Sequence, residues 1–357
     1  MNLIKRLSWL GGLSILAVVL NHSVQWGATL AAWSRSGGLV TEPVAPWVTY
    51  LLITIERLPT FCVPAFFFIT GFFLAFSSRG AQGQINWKII RARLIDLIVP
   101  YLIWSVVYLF GNPFETEPFS PVEFLWKLAH GGALSPFFFV PLLAQFYLLA
   151  PYLVPAIRRQ PRLMIALSIG LQIGVDLALL AGIGSVERMV WYLILSWSLF
   201  FVIGVYAGLD IERFKTLLLR YRLWILGGLI PAAALAVGEA VVLSQMTGRL
   251  DWIDMPFTPF GTVYSLLVIF AFLLGQGKVF GASFLTYLST RTYGVYLAHS
   301  LVLLWIVYYI TQEQWLLSPQ TGLLIPFLFV VGVSVPVAAM WLLAKASLRP
   351  LYRAVFG

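Results

Sequence analysis

The sequence predicts an all-α, polytopic integral membrane protein of about ten transmembrane helices, with both termini on the cytoplasmic side. Three observations predict it. Of 357 residues, 60% are hydrophobic and only 10% are charged, against roughly a quarter charged in a soluble domain. Apolar runs of about 17 to 25 residues recur along the whole chain, the length a helix needs to cross a hydrocarbon core about 30 Å thick. The basic residues sort onto alternate connections, as they do when Lys- and Arg-rich loops remain in the cytoplasm.

Taken in order, the predicted spans are Leu7 to Val24, Leu58 to Phe76, Leu94 to Phe110, Phe137 to Val154, Leu163 to Gly182, Met189 to Leu209, Leu223 to Leu243, Thr262 to Leu274, Tyr293 to Ile310 and Leu323 to Ala346. The eighth is short and edged by glycine. With the amino terminus inside, the outer connections hold only Arg35, Arg57, Lys127, Arg188 and Arg249 of the 23 basic residues. The same outer connections carry Glu42, Glu56, Glu115, Glu117, Glu123, Glu187, Asp251, Asp254 and Glu313. A missed or extra helix would invert this pattern partway along, and it does not invert. The first helix starts basic and has no small-residue cleavage site before Trp26, so it is expected to be retained. The longest connections, Gln25 to Arg57 and Gly111 to Pro136, leave no room for a second folded domain, so a single membrane-embedded domain over 1–357 is expected.

The net charge of +9 does not indicate nucleic acid, because the basic residues are not clustered with exposed aromatics along a groove. The single cysteine, Cys62, excludes a disulfide framework and a cysteine metal site. Three histidines far apart in sequence, without acids at ligand spacing, do not make a metal site either.

Ionisable groups inside the hydrocarbon cost at least about 2–3 kcal/mol each, so they normally face protein or a wet cavity. The candidates are His22, Asp96, Asp176, Glu239 and His299. His22 follows Asn21 at the outer end of the first span, where an imidazole can take a proton from a hydroxyl at neutral pH or serve helix packing. His299 lies among tyrosines at helical spacing and reads more simply as packing. His130 sits beside Gly131 and Gly132 in an outer loop, the setting of a solvated histidine. Lys88, Arg91 and Arg93, with Arg158, Arg159 and Arg162, form a basic inner cluster. It suits an anionic ligand such as coenzyme phosphates and equally satisfies positive-inside sorting. Prolines and glycines within the spans fit either a substrate cavity between broken helices or ordinary kinked packing.

Several segments, in order, carry a resemblance: Trp9–Leu13 running to Asn21 and His22, Val63–Leu74, Arg91–Leu94 running to Pro100–Trp104, Pro136–Tyr147, Phe200–Gly204 and Tyr293–His299. Together they resemble the acyltransferase 3 family of polytopic membrane acyltransferases, which acylate surface glycans. The resemblance implies an acyl-CoA donor, commonly acetyl-CoA, arriving from the cytoplasm, and an acceptor hydroxyl of a saccharide or lipid-linked glycan at the outer face. It implies His22 as the catalytic residue, activating the acceptor hydroxyl as general base, the favoured role, or receiving the acyl group transiently, with Asn21, Tyr296 and His299 beside the substrate, and Lys88, Arg91 and Arg93 on the coenzyme phosphates. No permanently bound cofactor is implied, and the expected place is the cell membrane, with lipid around a multi-pass chain. Family members often carry a fused outer hydrolase-like domain, which is not expected here. In one departure, Gly11 stands where the family usually has an arginine, eleven residues before the histidine. Arg6 lies roughly 7 to 8 Å lower on the helix axis. A glycan transporter or flippase, or a non-catalytic membrane partner, would use the same interior polar groups and remains open at this point.

Overall fold

The computed structural model describes residues 2–36, 45–78, 85–114, 120–184, 189, 194–275, 277, 279–313, 321–345 and 348–357. All regular structure among them is helical. Helix α1 is Leu3–Ser36 and outruns the apolar segment that predicts it, with no proline to interrupt it. Helix α2 is Pro46–Arg57, opened by a proline in its first turn. A 3-10 turn over Leu58–Phe61 carries it into α3, Cys62–Ser77. Much of the predicted connection Gln25 to Arg57 is therefore helix.

Helix α4 is Trp87–Gly111, capped by Asn86, whose Oδ1 accepts from the Lys88 amide at 2.8 Å. The predicted loop Gly111 to Pro136 contains α5, Pro121–His130, which stops at Gly131 with φ of 83°. Then come α6, Phe139–Arg159, and α7, Pro161–Leu180. Helix α8 is Ile194–Leu209 and turns by 113° into α9, Ile211–Arg220. The rest are α10, Arg222–Thr247; α11, Pro259–Leu274; α12, Ala282–Ser289; α13, Thr292–Glu313; α14, Thr321–Leu343; and α15, Arg349–Phe356.

Among the described residues, 8 helical stretches are long and apolar enough to cross a membrane, and the bent pair α8–α9 makes up to 9. The shorter apolar α11 coincides with the short eighth predicted span. Among the described residues each of the ten predicted spans thus coincides with a helix, and positions 190–193 of the sixth and 346 of the tenth lie outside the described residues.

Helix α1 is central, with 67% of its apolar window buried, whereas α7 and α10 are peripheral at 22% each. Leu223, Trp224 and Ile230 of α10 point outward, as lipid-facing side chains do. Helix α1 packs tightly on α12: a Cβ added at Gly12 would lie 2.2 Å from the Leu285 carbonyl oxygen, and Trp9 Nε1 donates to Thr286 Oγ1 at 3.0 Å. Helices α3 and α8 approach as closely, because Gly71, Gly204 and Gly208 leave room for the opposing backbone. Asp176 on α7 accepts from Gln172 at 2.8 Å and from Thr262 of α11 at 3.4 Å, which accounts for one of the intramembrane acids as a tie between helices.

Candidate active site

At the end of the bundle opposite the start of α1, a cavity of about 380 Å³ is lined by His22, Asn21, Gln25, Cys62, Phe66, Phe139, Asp254 and Tyr296, among others. The geometry at His22 is the most informative. Gln25 follows it by three residues on α1, so both side chains share a face. His22 Nδ1 and Gln25 Oε1 are 2.9 Å apart, and Gln25 Nε2 donates to Asp254 Oδ2 at 2.7 Å. An ionised carboxylate only accepts, so the amide nitrogen must face Asp254 and the amide oxygen must face the imidazole. Nδ1 then carries the proton, and the basic lone pair of His22 lies on Nε2.

Behind it, His299 stacks on His22 with ring centroids 5.4 Å apart and planes inclined by 30°. The two histidines lie on α1 and α13, far apart in sequence. His299 is wholly buried, and both its ring nitrogens are engaged. Nδ1 donates to the carbonyls of Val295 and Tyr296 at 3.0 and 2.7 Å, and Nε2 accepts from Ser300 Oγ at 3.0 Å. It supports the His22 ring from outside the cavity lining.

Asn21 and Tyr296 both reach the wall. Asn21 Nδ2 donates to the Glu56 carbonyl at 2.9 Å, and the Tyr296 hydroxyl donates to the Pro136 carbonyl. Each therefore spends a donor on holding the wall. Lys88, Arg91 and Arg93 are elsewhere, and none lines the cavity. Tyr108 of α4 donates to Leu297 O at 3.1 Å and so marks the level of His299. Arg93 lies roughly 22 Å before it along α4, at 1.5 Å per residue, and its guanidinium is 6.0 Å from the Tyr147 ring.

Three participants escape a reading of the sequence alone. Gln25 was within reach of it, being at helical spacing from His22. Asp254 was not, since it is 229 residues from Gln25. His130 differs from the expected solvated loop residue: it is half-buried in the cavity wall, and Gly132 leaves space for its ring, since a Cβ there would meet His130 Nε2 at 2.3 Å. Asp254 lies outside the membrane spans. Burial pushes its carboxyl up from the ordinary 3.8 to about 6, with the Gln25 hydrogen bond and Arg57 pulling it down and Asp251 pushing it up. Glu56 also faces this group and Gln25.

At Gly11 a Cβ would make only ordinary contacts, 3.8 Å to Ile69 and 4.0 Å to Ser289, so packing does not demand glycine there. Arg6 is committed elsewhere, donating to the Gly277 carbonyl at 2.6 Å.

A model of the acyltransferase domain, Acyl_transf_3, matches residues 4–344. The chain belongs to the acyltransferase 3 family. It is a multi-pass membrane acyltransferase that moves groups other than amino-acyl groups. It is similar to a protein of Bacillus subtilis (strain 168) named "Putative membrane-bound acyltransferase YfiQ", with 24% identity over 354 residues, 96% of this chain and 92% of that one. No solved structure matches it. For a member of this family, a histidine of fixed tautomer in a cavity wall is the arrangement that merits a catalytic reading.

Proposed function

We propose that this acyltransferase moves an acyl group, acetyl in the simplest case, from a cytoplasmic acyl-CoA to a hydroxyl of a cell-surface saccharide or lipid-linked glycan. It does so in the plasma (inner) membrane, with both termini and the basic end of the bundle in the cytoplasm. The observation that carries this reading is the His22–Gln25–Asp254 chain at the cavity wall, which leaves His22 with its basic nitrogen at Nε2.

His22 Nε2 takes the proton of the acceptor hydroxyl as its oxygen attacks the thioester carbonyl carbon. The tetrahedral adduct collapses with cleavage of the C–S bond. The coenzyme thiolate leaves and recovers the proton from His22, so ester and thiol are the products. Asn21 and Tyr296 hold the wall against the acceptor, and His299 keeps the His22 ring in place. Lys88, Arg91 and Arg93 grip the donor phosphates, and the donor's extended arm bridges the roughly 22 Å to the histidines.

The test is purified protein in vesicles with labelled acetyl-CoA and a panel of sugars. Label in an ester-linked product supports the reading, and movement of unmodified glycan without label would favour a transporter. The panel also tests acceptor charge. Among the described residues of the lining, Asp254 is the one acid and no Lys or Arg is present. A carboxylate in a confined, water-poor site repels anions strongly. Neutral sugars are therefore expected to react and uronic or phosphorylated sugars to be poor acceptors. Equal kcat/KM for the neutral and anionic members would overturn this.

The pH dependence follows from Asp254. Below about 6 its carboxyl is protonated and can donate to Gln25, turning the amide so that its NH₂ faces Nδ1. The His22 proton then shifts to Nε2 and the base is lost. Activity is expected to fall as pH drops through about 6. Stability runs the opposite way. Folding raises this pKa, so the folded state holds the proton more tightly, and its contribution grows as pH falls from about 6 towards 3.8, by an amount on the order of 3 kcal/mol. Comparison of Asp254→Asn with the parent in both rate and thermal melting from about pH 5 to about pH 8 isolates this group. An acid limb that persists in Asp254→Asn would assign it to another residue.

A further inference from the structure

Arg57 was expected on an outer connection. Instead it is fully buried where α2 ends. Its Nε donates to Ala236 O at 3.1 Å, Nη1 to Trp252 O at 3.4 Å and to Met255 O, and Nη2 to Thr258 Oγ1 at 2.6 Å. Glu239 of α10 lies 3.7 Å from Nη2 and also accepts from the Phe260 amide at 3.2 Å. Gly261 leaves space for the guanidinium: a Cβ there would be 2.6 Å from Nη2. One side chain thus grips 252–258 from both ends and ties it to α10. Asp254 stands in the middle of that segment.

A buried guanidinium is costly unless its donors are filled, and the planar fork can satisfy several carbonyls at fixed angles where an ammonium cannot. Three of the four groups that accept its hydrogen bonds, Trp252 O, Met255 O and Thr258 Oγ1, belong to one segment, so the positions of that segment are set by the fork. We propose that Arg57 is a positioning residue for acyl transfer: it clamps segment 252–258 so that Asp254 meets Gln25 and, through Gln25, fixes the tautomer of His22. This rests on the reading of His22 as the base. Arg57 itself stays behind the wall and touches no substrate.

The test is a double-mutant cycle on the full chain in vesicles, with Arg57→Gln, Arg57→Lys, Asp254→Asn and Arg57→Gln/Asp254→Asn, each assayed for kcat and KM across pH. If Arg57 acts through Asp254, the losses do not multiply, and the double variant falls within about threefold of the worse single one. The loss lies in kcat. The groups facing Asp254 are Gln25, Arg57, Asp251 and Glu56. Removing the Arg57 charge is therefore expected to move the acid limb to higher pH, and Arg57→Lys restores the limb more than it restores kcat. A purely structural Arg57 would lower the amount of active protein without changing the shape of the pH profile. Multiplying losses, or an unmoved limb in Arg57→Gln, would overturn the proposal.

Thr258→Val removes one acceptor of the clamp and supplies the same comparison where the arginine variants do not fold. A readout independent of catalysis is available at Cys62, the single cysteine, which lines the cavity with Asp254 and Pro256. Its rate of reaction with a small thiol reagent is expected to rise in Arg57→Gln and Thr258→Val. An unchanged rate in both counts against the clamp. Activity retained by His22→Ala would instead remove the base reading while leaving the coupling between Arg57 and Asp254 measurable.

Discussion

Replacing His22 by alanine is expected to lower the rate of acyl transfer by about 10²–10⁴-fold at neutral pH, the usual contribution of a positioned general base. The size of the effect follows from the site. His22 is the cavity-lining imidazole whose Nδ1 is tied to a half-buried amide–carboxylate pair, and His299 has both ring nitrogens engaged and cannot take over. His22→Gln keeps a hydrogen-bonding side chain without the base and is expected to fall as far. The measurement is the initial rate of labelled acyl incorporation per folded protein, with folding monitored by size-exclusion profile. A His22→Gln rate equal to that of the parent would end the base assignment.

The largest loss of stability is expected for Gly204→Val. A Cβ at this position would lie 2.1 Å from the Phe68 carbonyl oxygen and 2.8 Å from its carbon. Backbone atoms cannot step aside as a side chain can, so α3 and α8 must separate. Gly208 and Gly71 face the same constraint, 2.3 Å from Phe72 O and 2.4 Å from Phe201 O. Small residues that let helix backbones meet are a main source of association within a bilayer, where lipid is as apolar as leucine. Overpacking typically costs about 1–3 kcal/mol and more where backbone must move. Since α3 begins with the cavity residues Cys62, Val63 and Phe66, activity falls with stability. The thermal midpoint in detergent is the measurement, with Gly170→Ala as control because nothing lies within 4 Å of that position. Equal midpoints for Gly204→Val and Gly170→Ala would refute the close-packing account.

The intramembrane acids illustrate how far a sequence reading reaches. Asp176 and Glu239 stood out as ionisable groups in hydrocarbon, and both have partners, Gln172 and Thr262 for one and Arg57 for the other. That they need partners follows from the cost of burying charge. Which partners they take does not follow from it. Arg57 was indistinguishable in sequence from a loop cation, because its burial depends on carbonyls some 200 positions away, at Trp252 and Met255.

What the chain determines by itself is its solvent and its division into helices. Apolar runs of bilayer length and the sorting of lysine and arginine are local properties, legible without any knowledge of neighbours. The Asn21–His22 pair and the family pattern are local in the same sense. Only the tertiary structure decided that His22 meets His299, that Gln25 hands the imidazole to Asp254, and that Arg57 is buried beneath that aspartate's segment. Those contacts join helices through side-chain packing and hydrogen bonds of a few ångströms. A difference of one helical face, invisible in a hydropathy pattern, makes or breaks each of them.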